Sequence, residues 1–140
     1  MKRSKVVIMM ISCLILSCEP APETISFGKD SCAYCSMGIA DPSFAAELVT
    51  GKGKVYKYDS IECMVRGHRE MDETVSLVLV MDYNDPGTFI NGRKALYLKN
   101  SKLRSPMGED LAAFMNEQAI LNKELSGVIF DWKALKDHVK

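Results

Sequence analysis

The segment Cys32-Ala33-Tyr34-Cys35-Ser36-Met37-Gly38 sets two thiols and a thioether close together along the chain. Four chemistries use such a Cys-x-x-Cys pair. A thioredoxin-type redox couple opens a helix, whose positive N-terminus lowers the thiol pKa; here Gly38, Asp41 and Pro42 follow instead of a helical pattern. A structural disulfide between Cys32 and Cys35 closes only a very short loop, which removes little entropy from the unfolded chain. A structural zinc site finds enough donors in Cys32, Cys35, Cys63 and His68. Residues five apart on a helix, however, stand about 140° apart around its axis, so Cys63 and His68 diverge. Cu(I) is the fourth candidate, and Met37 favours it. Thiolate and thioether are soft, polarizable donors that Cu(I) takes in preference to carboxylate or water. In an extended segment Cys35 and Met37 fall on one side of the backbone, and Cys32 points in from the turn.

Other residues extend or limit this set. Met107 sits in Ser105-Pro106-Met107-Gly108, between a rigid and a permissive residue, where it is poor core filler and a candidate third ligand. Cys63 is expected off the apolar stripe of a helix and near its positive end, which favours thiolate and suits a transfer ligand. Met64 and His68 fall on that stripe and read as core and helix-face residues. His138 closes the last helix, where an imidazolium would ease the dipole. Asp41, Asp59 and Glu62 read as turn and capping groups rather than an acid–base pair. With no Gly-rich phosphate loop, His-Glu-x-x-His or nucleophile elbow, the sequence points to a binding protein and not to an enzyme.

The elements that must position these residues follow from periodicity. Phe44–Thr50 and Lys54–Tyr58 read as strands joined by Gly51-Lys52-Gly53. Asp59 is the expected N-cap, with Glu62 as capping-box partner, of a helix that fades by Met71. Thr74–Met81 is an apolar strand. Thr88–Ile90 and Ala95–Lys99 read as a second strand pair, turned at Asn91-Gly92. A helix over 109–121, a strand over 127–130 and a last helix capped by Asp131 complete the chain. The order is strand, strand, helix, strand, then the same again, an α+β domain.

The N-terminus places the domain. Lys2, Arg3 and Lys5 precede an apolar run from Val6 to Leu16, too short to span a bilayer but suited to an export signal. It ends in Leu14-Ile15-Leu16-Ser17-Cys18, which resembles a bacterial lipobox, so residues 1–17 are expected to leave and Cys18 to carry the lipid. Membrane contact then comes from acyl chains. Residues 18–29, with Pro20 and Pro22, read as a flexible tether, and 30–140 as one domain. Glu19, rather than Asp, after the lipidated Cys favours outer-membrane retention in a diderm host, on the periplasmic face. Cys32, Cys35 and Cys63 leave an odd thiol, which in an exported protein suggests a reactive group or a metal ligand. Basic and acidic side chains number 18 each, three of the basic ones in the signal, and no basic cluster suits a nucleic acid.

Taken together, Cys32-x-x-Cys35-Ser36-Met37, Asp41-Pro42-x-Phe44-Ala45-Ala46-Glu47-Leu48, Tyr56-Lys57-Tyr58-Asp59-x-Ile61-Glu62-Cys63-Met64 and Ser105-Pro106-Met107-Gly108 resemble the NosL family. The resemblance implies a Cu(I)-binding envelope lipoprotein that supplies copper for the centres of nitrous oxide reductase, in concert with an ABC-type transporter. It also implies two ββαβ units in a fold related to organomercury lyase. Cys35 and Met37 then occupy the family's Cys-x-Met copper motif, and Met107 a further ligand position. The family commonly has Gly where this chain has Ser36.

Overall fold

The computed structural model describes residues 19–140; the signal segment and Cys18 lie outside the described residues. The first hairpin forms as its sequence dictates. Strand β1 (Ala46–Thr50) turns through Gly53, which has φ 81°, into β2 (Val55–Tyr58), pairing Glu47 with Lys57 and Leu48 with Tyr56. Helix α1 (Ile61–Glu70) follows and ends at Met71. Its N-cap is Ser60 rather than Asp59: the Ser60 hydroxyl accepts the Cys63 amide at 3.2 Å, which frees the Asp59 carboxylate for another use. Strand β3 (Val75–Asp82) then lies antiparallel to β1 on the side away from β2.

The second half departs from its sequence pattern in two places. Strand β4 (Asp85–Asn91) folds back on β3, pairing Val80 with Ile90, and does not pair with β5 (Leu96–Lys99). Asn91-Gly92 is therefore a corner and not a hairpin turn. Gly92 is there for close packing: a Cβ would stand 2.6 Å from Val78 Cγ1, while its amide donates to Val78 O and its carbonyl accepts the Tyr97 hydroxyl. The helix expected over 109–121 divides into strand β6 (Leu111–Phe114) and a short helix α2 (Glu117–Leu121) capped by Asn116. All four β6 residues are buried, and a strand covered on both faces shows no alternation to separate it from a buried helix.

Strand β7 (Val128–Phe130) pairs with β5 on the side opposite β6, and helix α3 (Trp132–His138), capped by Asp131, closes the chain. The sheet order is β2-β1-β3-β6-β5-β7, with β4 an additional partner of β3. Two ββαβ units thus stand side by side, β1-β2-α1-β3 and β5-β6-α2-β7, each with its first strand in the middle. They join where Asp82 pairs parallel with Ala113. The second unit is built from β5 and β6; of the strand pair expected to open it, Ala95–Lys99 belongs to it as β5 and Thr88–Ile90 does not.

Packing also begins earlier than the expected tether boundary at Lys29. Ile25 is 4% exposed, the Glu23 amide donates to Glu47 Oε2 at 3.2 Å, and Lys57 Nζ reaches Thr24 O and Asp30 Oδ2, each at 2.9 Å. One apolar residue seated in the core, with backbone bonds on either side, outweighs the polar composition of the segment. No helix among the described residues is long and apolar enough to cross a membrane.

Candidate metal centre

The thiol segment is a small hairpin laid on the first unit. Ser31 and Gly38 form an antiparallel bridge, the Cys32 amide donates to Met37 O at 2.7 Å, and the Ser36 amide donates to Cys32 O at 2.9 Å. The Ala33 amide bonds to Lys57 O at 2.8 Å, which fixes the hairpin against β2. Closing so tight a turn places Ser36 at φ 65°, the left-handed region, where glycine is the unstrained choice. Cys35 therefore sits in a turn rather than in an extended run with Met37, and the expected alternation does not place the two sulfurs.

What the turn does accomplish is to lower Cys32 and Cys35 onto the junction between β2 and α1. The ligand atoms of Cys32, Cys35, Asp59 and Cys63 all lie within 4.8 Å of one another. A tetrahedral ion with bonds of about 2.3 Å wants its donors roughly 3.8 Å apart, so a small contraction completes the set. The three thiols are free. Cys32 is 2% exposed and Cys63 is fully buried, while Cys35 is half-buried and opens the cluster to the surface. Asp59 Oδ2 lies 3.6 Å from Cys35 Sγ, and its buried Oδ1 has no hydrogen-bond partner. A buried carboxylate oxygen without a partner is costly, and a cation or a proton would satisfy it.

The electrostatics assign the thiols different states. The Cys63 thiol donates to Cys32, and the amides of Cys35, Asp59 and Tyr34 add to this, so the Cys32 pKa falls well below the usual thiol range. The same bond, with burial, drives the Cys63 thiol up; burial does the same to Cys35. Of the three thiols, Cys32 is the one whose ionisation the surroundings favour. This reverses the expectation that the helix terminus would ionise Cys63. Every residue from Ile61 to Val65 is buried, so Cys63 is not on an exposed flank but packed beneath Cys32.

The thioethers are on the surface. Met37 is 55% exposed on the hairpin, and Met107 is 36% exposed on the loop between β5 and β6. His68 packs edge-on against Trp132, ring centroids 5.4 Å apart, and burial holds its pKa down; it is outside the cluster, and the fourth donor is Asp59. His138 stacks on Phe130 at 4.6 Å and lies 3.2 Å from Lys99 Nζ. Asp59 was hidden in the sequence by its neighbour: two residues competent to cap stand together, and only the fold shows that Ser60 takes the cap.

Comparison with known proteins bears on this arrangement. The profile of the NosL family matches residues 24–137, most of the chain and the whole of the site.

The chain belongs to the NosL family.

Among solved structures, the copper chaperone NosL from Shewanella denitrificans superposes with a TM-score of 0.68 at 22% identity, covering 82% of this chain and 94% of that one. At that identity the likeness speaks to the fold, and it spans both ββαβ units. No curated protein sequence matches the chain. The left-handed φ of Ser36 is one that glycine adopts without strain, in keeping with the Gly that the resemblance leads one to expect there.

Proposed function

We propose that this NosL protein is a non-catalytic metallochaperone of the cell envelope that takes up Cu(I) on sulfur and hands it on by ligand exchange. The observation that carries this reading is the gathering of three free thiols at one corner of the first unit, with Cys35 open to the surface. The Cys32 thiolate supplies charge for an incoming Cu(I). Cys35 and the buried Cys63 share the ion, and Asp59 lies beside them. Met37 and Met107, both exposed, supply thioether ligands through which an incoming partner thiol or imidazole displaces the protein's own donors. Soft, partly open ligation suits handover better than storage.

The finer points extend the same reading. Cys18 carries a lipid that holds the domain on the periplasmic face. The recipient is an apo copper enzyme, nitrous oxide reductase on the family's pattern, reached directly or with an ABC-type transporter. A competition titration with a Cu(I) chelator under reducing conditions tests the copper claim on the full chain. Cys35→Ala and Met37→Ala are expected to bind more weakly than wild type, and equal affinity in all three proteins would end the proposal.

A second reading has one observation in its favour. The unpartnered Asp59 oxygen makes the donors a Cys₃Asp set, and a carboxylate oxygen suits Zn²⁺ better than it suits Cu(I). Titration of Zn²⁺ against Asp59→Asn decides it: a zinc site loses most of its affinity, whereas sulfur-bound Cu(I) changes little.

A further inference from the structure

Glu62 is fully buried one residue before Cys63, yet its carboxylate takes no part in the thiol cluster. Its buried Oε2 has no hydrogen-bond partner, so the carboxyl is held through Oε1 alone, and the partners there are specific. Oε1 accepts the Ser105 hydroxyl and, at 3.3 Å, the Glu109 amide. Ser105 Oγ in turn accepts the Asp110 amide at 2.9 Å, so its own proton is committed to Glu62. Between these anchors the chain makes a tight turn: the Gly108 amide donates to Ser105 O at 3.0 Å, and Gly108 has φ 79°. Met107 occupies that turn. It is bracketed on both sides by bonds to one oxygen atom. Arg66, one helical turn beyond Glu62, reaches Glu109 Oε1 at 3.4 Å, but that pair is partly exposed and is worth less.

We propose that Glu62 is a positioning residue for Met107. It fixes the thioether loop to the same turn of α1 that carries Cys63, and so fixes the distance between the thioether and the thiols. The inference rests on the reading of Met107 as a copper ligand. A carboxyl that merely fastened a loop to a helix would influence stability alone; one that positions a ligand influences affinity only while that ligand is present.

The test is a double-mutant cycle on the full chain, reading Cu(I) affinity by chelator competition under reducing conditions. Met107→Leu and Glu62→Ala are each expected to weaken binding about 10–100-fold, as loss of a supporting residue does at other metal sites. The double variant is expected to bind no more weakly than Met107→Leu alone. Glu62→Gln keeps an oxygen for the same two donors and is expected to restore affinity. Ser105→Ala removes one bond without altering α1. It gives a smaller loss that also vanishes beside Met107→Leu, and it serves where loss of Glu62 compromises folding. The proposal is overturned if Glu62→Ala and Ser105→Ala weaken binding equally with and without Met107, or if both bind as wild type. It also falls if Met107→Leu binds as wild type, since nothing is then left to position. The thiol reading is judged separately, on Cys35→Ala.

Discussion

The two ββαβ units share a topology and diverge in chemistry at equivalent places. In the first, the β2–α1 junction reads Asp59-Ser60, with Ser60 the N-cap and Cys63 the residue whose amide it accepts. In the second, the β6–α2 junction reads Met115-Asn116, with Asn116 the N-cap and Ala119 in the place of Cys63. The caps work alike, so the helix starts are interchangeable as backbone. What makes one of them a candidate metal centre is a thiol and a carboxylate at the right steps from the cap, and the Cys32–Met37 hairpin laid over them. The second unit has no such hairpin, and Met115 is left exposed. The fold supplies a scaffold twice, and the side chains use it once.

The largest effect should follow from that asymmetry. Cys63→Ala is expected to lower Cu(I) affinity beyond the roughly 10–100-fold typical of a residue that only supports a ligand, while Met115→Leu leaves it unchanged. Chelator competition on the two variants reads the contrast directly. A comparable loss in Met115→Leu would mean that copper engages both units.

The centres of the two units offer the next contrast. Glu47 in β1 and Tyr97 in β5 are the second residues of their strands, and both are fully buried. Tyr97 is satisfied, donating its hydroxyl to Gly92 O at 2.6 Å. Glu47 keeps one oxygen without a partner, and burial pushes its pKa up to about 7 despite the Glu23 amide and Lys57 beside it. Because the folded-state pKa is raised, the group opposes folding only where the unfolded chain would ionise it. Stability is unaffected below pH 4, falls as pH rises through the ordinary Glu range to about 7, and is level above that. Glu47→Gln should therefore be more stable than wild type by up to about 3 kcal/mol at pH 8, and equal to it at pH 4. Chemical denaturation at the two pH values measures it, and a gain independent of pH would assign the effect to packing instead.

The same contrast explains what the sequence could and could not reveal. In the first unit, alternation in β2, the stripe on α1 and the glycine turn are local signals, and the elements form where those signals place them. In the second, Leu111-Ala112-Ala113-Phe114 lies between β3 and β5, and its burial on both faces erased the period that marks a strand. The choice of β3 rather than β5 as the partner of β4 is a long-range decision that no local residue encodes. At the site, Cys32, Cys35 and Cys63 were legible as thiols, but their meeting depends on the hairpin docking through Ala33 on Lys57. Asp59 became visible as a donor only once Ser60 had taken the cap.

The smallest effect concerns strain and is confined to the loops that carry sulfur. Four residues other than glycine have positive φ among the described residues: Ser36, Arg104, Asp110 and Glu124. Ser36 precedes Met37, and Arg104 and Asp110 flank the Met107 turn, so three of the four lie where a thioether is presented. Strain of this kind persists where surrounding bonds enforce it, here the Cys32–Met37 and Glu62–Ser105 contacts. A left-handed residue with a Cβ costs about 1 kcal/mol, and glycine returns part of that gain through the freedom it adds to the unfolded chain. Ser36→Gly is thus expected to stabilise the domain by about 0.5 kcal/mol, with Cu(I) affinity unchanged. Thermal melting and chelator competition check the two halves of the expectation. If affinity fell while stability rose, the strained turn would itself hold Cys35 in its binding position, and the left-handed serine would be part of the site rather than a tolerated departure beside it.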